Sequence, residues 1–362
     1  MQESNRRKKA LRDAMAAGAD SLLLTHGPDV RYLSGFTGSS AAVALAQGRA
    51  ALFTDGRYRT QAREECRGMR VVVEKGSPAV RAAEWLVAGG SRRCAFDAGQ
   101  TTVAALGAWR RALPGKLRRG FYVAVPGPVA RLREVKDADE ATRLRRSAAL
   151  GCRLFDGLLK HITPEATEMQ VAARLEYAAR LAGAEAMSFE TIVASGRRSA
   201  LPHGRATTAR LPRRGFVTLD FGVLLDGYCS DMTRTVHLGK ASQREWDVYH
   251  SVLEAQQAAV AMVAPGVSCG DVDEAARSVL RKAKLGKSFT HSTGHGVGLE
   301  IHEGPRIAAG QTQLLEAGMM ITIEPGVYLP GEFGVRIEDM VLVTAKGSEV
   351  LTAASPKSWI EL

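Results

Sequence analysis

The clearest helical pattern in the chain is the apolar series Leu144, Ala148, Gly151, Phe155, Leu158 and Ile162, spaced by alternating steps of four and three. That spacing predicts one buried stripe on a long helix, with Asp137 or Asp139 as its N-cap and Thr163-Pro164 as its end. A second helix is expected from about Glu165 to Leu181, and two more over Gln243–Val263 and Asp271–Lys284. Between the pairs the period changes to two. Val217–Thr235 reads as two strands joined by a turn at Asp226-Gly227, a hairpin signal. Ile321–Tyr328 and Gly334–Val343 are β-rich in the same way, again around a glycine-containing turn. Two helices followed by a hairpin, twice over, is the predicted plan of the C-terminal part.

Upstream, residues 1 to about 127 alternate differently. A basic helix over Glu3–Ala17 leads to the strand Ser21–Leu24, then a turn and strand in RYLSGFTGSSAAVALA, and a strand at Ala50–Phe53. Elements at Thr54–Glu65, Val71–Val73, Ala79–Val87, Cys94–Phe96 and Val103–Leu113 continue the alternation, which predicts a mixed or parallel sheet covered by helices. Val125-Pro126-Gly127-Pro128 is a breaker cluster. The expected domains are 1–127 and 128–362, and the expected class is α+β.

Composition narrows the function. A chain of 362 residues with 45% apolar content suits two globular domains. No run approaches the ~20 apolar residues of a membrane span. The first residues are charged and no signal-peptide core follows, so a cytoplasmic protein is expected. The five cysteines are scattered and lack CxxC spacing, in keeping with reduced thiols, and Cys229 is read as a small packing residue. The net charge of +11 is spread over arginines without interleaved aromatics, so no nucleic-acid partner is expected.

Each strand of the first hairpin carries one acid, Asp220 and Asp231. Taken alone, the pair fits either a solvated sheet edge or a buried site held by a cation, since facing buried carboxylates repel. The second β-rich pair repeats the pattern: Leu211-x3-Gly215-x4-Asp220 parallels Leu314-x3-Gly318-x5-Glu324, and Asp231 parallels Glu338. This weak internal duplication suggests two hairpins related by a pseudo-twofold, each giving two carboxylates to one centre, with His295 from a glycine-rich loop as a fifth ligand. Four negative charges balance two divalent cations. Oxygen donors with one imidazole favour Mn²⁺, with Co²⁺ or Zn²⁺ as substitutes, and bridging carboxylates would hold the ions roughly 3.5–4 Å apart.

In this order the motifs resemble the pita-bread metallopeptidases (M24 type), the family of aminopeptidase P, prolidase, methionine aminopeptidase and creatinase. The resemblance implies a pita-bread catalytic domain behind a smaller α/β creatinase-like domain. It puts the five metal ligands at Asp220, Asp231, His295, Glu324 and Glu338. His203 in PHG, His291 and His302 fall on the extra histidines of the proline-peptidase branch, and Tyr328 and Arg336 match that branch too. The implied mechanism is attack on the scissile carbonyl by a metal-bridging hydroxide, with Glu324 shuttling the proton. The three histidines would stabilise the oxyanion and, with Tyr328, position substrate. Arg336 would orient a ligand.

YLSGFTGSS and FTDGRYRTQA resemble the N-terminal domain of aminopeptidase P and prolidase. Asp55 and Arg57 within them are given a structural or interface role, and the resemblance implies a homodimer formed through that domain. Because the segment before EPG holds a single arginine, Arg306, the expected activity is that of an Xaa-Pro aminopeptidase acting on short peptides with proline second. An Xaa-Pro dipeptidase is the alternative, and a non-catalytic binding module a remoter one. His26, His161, His237 and His250 are read as structural or surface residues.

Overall fold

The structure, a computed structural model, describes residues 2–362, the side chain of Gln2 aside. The chain divides into two compact units, Met1–Arg133 and Glu134–Leu362. Tyr32 Oη donates to the carbonyl of Leu132, and the buried Arg133 guanidinium lies 2.8 Å from Asp29. These ties carry the first unit past the Val125–Pro128 cluster that the sequence marks as the break.

The first unit is built on a six-stranded sheet in the order Arg70–Val73, Arg49–Thr54, Ala41–Ala46, Ser21–Leu24, Cys94–Asp97, Tyr122–Val125. The sheet is mixed: Ala41–Ala46 runs antiparallel to both neighbours, and every other pairing is parallel. One expected turn is instead a helix, Gly27–Ser34. Proline sits in its first turn and Gly35, at φ 80°, takes the left-handed conformation that ends it. Asp55 caps the short 3₁₀ turn Gly56–Tyr58 by accepting from Arg57 N–H at 3.0 Å, and its other oxygen pairs with the same arginine's guanidinium at 2.9 Å. Both side chains have a local structural task.

In the second unit the helix Ala138–Leu158 starts at Asp137, which forms a capping box with Glu140, and the stripe from Leu144 to Ile162 is buried along its length. The helix Glu168–Leu181 starts at a second capping box, Thr167 with Gln170. This pair shares its core with the three-stranded sheet Ile192–Ser195, Gly215–Phe221, Met232–Leu238. The helices Gln243–Met262 and Cys269–Lys282 share theirs with a five-stranded sheet that contains Met320–Ile323 and Asp339–Thr344. The duplicated plan and the α+β class expected from sequence are both present.

The hairpins differ from expectation in one respect that matters for the site. Neither is continuous. The first has an outer part, Val223–Leu225 with Tyr228–Cys229, closed by Asp226 and Gly227 at φ 51° and 77°. Its inner part pairs Gly215–Phe221 with Met232–Leu238. Asp231 therefore lies in the interruption, while Asp220 stays in the ladder opposite Thr233. The second hairpin repeats this, with an inner pair Met320–Ile323 and Asp339–Thr344 and an outer pair Gly326–Leu329 and Phe333–Arg336. Glu324 and Glu338 fall in its interruptions. A side chain at a break is freed from strict alternation and can turn towards one point.

Gly222 makes the first break possible, because a Cβ there would stand 1.7 Å from the Ser230 carbonyl oxygen. Replacing it forces the two strands apart. The variant Gly222→Ala is expected to lose about 1–3 kcal/mol or more, read as a lower urea midpoint for the C-terminal unit.

Candidate metal centre

Five side chains that the sequence singles out converge on one cavity of about 670 Å³: Asp220, Asp231, His295, Glu324 and Glu338 all line it. The tightest group is Asp231, His295 and Glu338, whose candidate ligand atoms lie within 4.8 Å of one another. His295 Nε2 also lies 3.6 Å from Asp231 Oδ2 and 3.5 Å from Glu324 Oε1.

The electrostatics of this group are unbalanced. Burial, with the charges of Glu338, Asp220 and Glu324, holds Asp231 well above the usual carboxylate range. Burial, then Glu324 and Asp220, does the same to Glu338. Burial and the Asp220 charge, opposed by Arg336, push Glu324 up to about 8. Burial also lowers His295 to about 4, so its imidazole is neutral near pH 7. With Nδ1 2.9 Å from the Gly296 carbonyl, the ring proton belongs on Nδ1. The Nε2 lone pair then faces the carboxyls of Asp231 and Glu324. Asp220 adds a further deficit, since its Oδ1 is buried without a hydrogen-bond partner. An unpaired buried carboxylate oxygen and a lone pair aimed at carboxylates are what a divalent cation among them would satisfy, and oxygen donors with one imidazole suit a hard to intermediate ion.

Arg336 supplies the one guanidinium hydrogen-bonded to a side chain of the group among the described residues. It donates to Asp220 Oδ2 at 2.5 Å, to Tyr328 Oη at 2.6 Å, to the Pro202 carbonyl at 3.0 Å and to Thr233 Oγ1 at 3.1 Å. Burial alone would lower its pKa, but the charges of Tyr328, Asp220, Glu324 and Glu338 more than offset that and raise it. The expectation that Arg336 orients a ligand fits these contacts. The acid it touches is Asp220, across the hairpins, because a strand end separates Arg336 from Glu338.

The extra histidines fall in two settings. His291 is half-buried at the cavity, with Nδ1 2.8 Å from the Ser292 carbonyl and Nε2 2.9 Å from Tyr328 Oη. Burial and Arg336 lower it to about 4. Both its nitrogens are engaged, so Arg336, Tyr328 and His291 form one hydrogen-bonded chain. His203 and His302 are exposed on the cavity wall, and the His302 ring meets that of His295 edge-on at 4.4 Å. Tyr328 itself stands behind the wall.

Thr233 was not anticipated. Its hydroxyl donates to Glu338 Oε2 at 2.7 Å and accepts from Arg336, so it ties Glu338 and Arg336 together. The signal was present in the spacing, since Thr233 and Thr235 alternate along one face of the strand that follows Asp231. Asp273 was missed too. It accepts from Thr293 N–H at 3.2 Å and Thr293 Oγ1 at 2.7 Å, while its partner Arg277 donates to the His291 carbonyl at 2.6 Å, fixing the loop that leads to His295. Cys229 packs with Val297 and Met340 in an apolar cluster.

Comparison with known proteins agrees with the geometry. Residues 142–345 match the model of metallopeptidase family M24, and residues 6–135 match the creatinase/prolidase N-terminal domain. The chain belongs to metallopeptidase family M24. An Xaa-Pro dipeptidase from Bacillus anthracis superposes with a TM-score of 0.95 at 37% identity, over 99% of this chain and 100% of that one. An X-Pro aminopeptidase from Thermotoga maritima superposes at 0.88 with 33% identity, over 97% and 100%. An uncharacterized peptidase of Bacillus subtilis is 36% identical over 95% of this chain and 96% of its own. The pita-bread fold with a creatinase-type N-terminal domain follows, as does divalent-metal use by this M24 peptidase.

The pKa shifts set a pH dependence for the metal-free protein. Glu324 is raised from 4.5 to about 8, so between those values the folded state holds a proton that the unfolded state has lost, and stability falls as pH rises. His291 and His295, lowered from 6.5 to about 4, act in the opposite sense only below pH 6.5. Melting temperature without metal is therefore expected to drop between pH 6.5 and 8. Added Mn²⁺ should abolish the drop and Glu324→Gln should make it shallower, both by scanning calorimetry.

Proposed function

We propose that the protein hydrolyses Xaa-Pro bonds in short peptides with two divalent ions, held by Asp220, Asp231, His295, Glu324 and Glu338. The observation that carries this is the proline-branch set His203, His291, His302, Tyr328 and Arg336 gathered around one buried carboxylate cluster. When bound, such ions supply Lewis acidity at a carbonyl and bring the pKa of water towards neutrality.

The chain's own groups do the rest. Glu324, the acid to which the family resemblance gives the proton shuttle, holds and returns a proton at its carboxylate oxygen. In this reading His203 and His302, exposed on the cavity wall, donate to the developing oxyanion. His291 is tied up in hydrogen bonds, so its task is to fix Tyr328 and the cavity wall against the substrate. An Xaa-Pro amide is tertiary and offers no N–H, so recognition falls to the shape of the wall and to protonation of the departing nitrogen.

Two versions of the activity differ in what they recognise beyond the bond. A dipeptidase must bind the free proline carboxylate. Arg306 lines the cavity from the strand Glu303–Ile307 and is exposed, with no hydrogen bond or ion pair to another described residue. A free guanidinium at that position supports the dipeptidase reading, as does the similarity to an Xaa-Pro dipeptidase over nearly the whole chain. The aminopeptidase reading expected from sequence is supported by the lone arginine before EPG, by the FTGSS and FTDGRY motifs and by the likeness to an X-Pro aminopeptidase. The proposal carries Mn²⁺ as the ion, a cytoplasmic setting and a homodimer through the N-terminal domain.

Hydrolysis of Ala-Pro and Ala-Pro-Ala, with Mn²⁺ and with chelator, separates the versions. The dipeptidase reading expects metal-dependent cleavage of Ala-Pro, with Arg306→Gln raising its KM about tenfold through loss of one charged hydrogen bond. Cleavage of Ala-Pro-Ala after its first residue, indifferent to Arg306, would select the aminopeptidase. Inertness towards both with metal bound would end the Xaa-Pro proposal.

A further inference from the structure

Outside the metal centre, one buried charge has no part in the chemistry described so far. Glu168 opens the helix Glu168–Leu181 and is fully buried. Its Oε1 accepts from Ser195 N–H and Ser195 Oγ, both at 2.9 Å. Its Oε2 accepts from Thr207 N–H at 3.0 Å and Thr207 Oγ1 at 2.7 Å. Arg198 Nε reaches both oxygens, at 3.3 and 3.1 Å, and its other nitrogen donates to the Arg205 carbonyl at 2.7 Å. One carboxylate thus ties together the start, the middle and the end of the segment 195–207.

That segment delivers His203 to the cavity. It also supplies the Pro202 carbonyl that accepts from Arg336, and Ser199 Oγ accepts from Gly334 N–H at 2.8 Å. None of its residues is a candidate metal ligand. Misplacing His203 by an ångström would cost about 100-fold in rate. A buried carboxylate is otherwise a poor choice for stability, since apolar packing would fill the same space without desolvating a charge.

We infer that Glu168 is a positioning residue: it clamps both ends of the loop 195–207 and so fixes His203 and the Pro202 carbonyl against Arg336. The activity arm of its test rests on the proposed Xaa-Pro hydrolysis. The structural arm does not. Glu168→Gln puts an amide donor where two oxygens accept, so at least one of the Thr207 or Ser195 bonds is lost.

Hydrogen exchange on the metal-loaded protein is expected to speed up in 195–207 and stay unchanged elsewhere, with bound Mn²⁺ unaltered. On Ala-Pro or Ala-Pro-Ala, whichever the wild type cleaves, kcat/KM should fall about 100-fold. Combining Glu168→Gln with His203→Ala should cost far less than the product of the two single losses, because the larger share of the Glu168 effect runs through His203. Unchanged exchange in 195–207, exchange raised throughout the unit, or losses that multiply in the double variant would each overturn the inference. If Glu168→Gln does not fold, Arg198→Met, at a partly exposed position, is read by the same exchange and coupling measurements. A wild type inert to both peptides would refute the proposed function, and exchange would still decide the role of Glu168.

Discussion

The structure turns on one electrostatic problem: four carboxylates brought into a single partly closed cavity. Water cannot fully solvate them there, and at such separations in a low-dielectric setting their mutual repulsion is worth several kcal/mol. Arg336 answers for one of them, Asp220, on one oxygen. The raised carboxyls of Asp231, Glu324 and Glu338 are the protein's own response in the absence of further positive charge. In the proposed function, a pair of divalent ions resolves the problem from outside. The order of elements in the C-terminal unit follows from it, because acids from two separate hairpins must reach one point.

Strand interruptions solve the geometry. A regular ladder would send alternate side chains to opposite faces, and only Asp220 of the four sits in one. The remaining three stand at breaks, beside Gly222 and Ser230 in one hairpin and Pro325 and Ile337 in the other. The backbone is then steadied from behind. Arg234, fully buried, donates to the Glu338 carbonyl at 2.5 Å and to Asp339 Oδ1 at 2.9 Å. Asp339 also accepts from Gln256, Thr352 and Lys357, which ties the C-terminal segment to the strand next to Glu338.

Much of this was legible in the chain. Helix starts could be read because capping chemistry is local: Asp137 with Glu140 needs only neighbours in sequence. The stripe from Leu144 to Ile162 could be read because burial follows the helical period. The acids and His295 stood out because their order and spacing repeat and match a known family. The breaks at Ser230–Asp231 and Ile337–Glu338 were not legible, since a glycine in a strand gives no sign of how close the opposite carbonyl will come. Helix Gly27–Ser34 was hidden by a turn-like sequence around Gly35. Glu168 carries no spacing signature at all, because its partners lie 27 to 39 residues away and are chosen by the loop's path.

The account stands on the claim that the cluster is a two-ion site completed by Asp220. Counting bound Mn²⁺ by calorimetric titration of the metal-free protein tests it most directly. Two ions per chain are predicted for the wild type, with Asp220→Asn losing at least one and keeping its fold. A wild type that binds fewer than two, or an Asp220→Asn variant that still binds two with the same affinity, would contradict it.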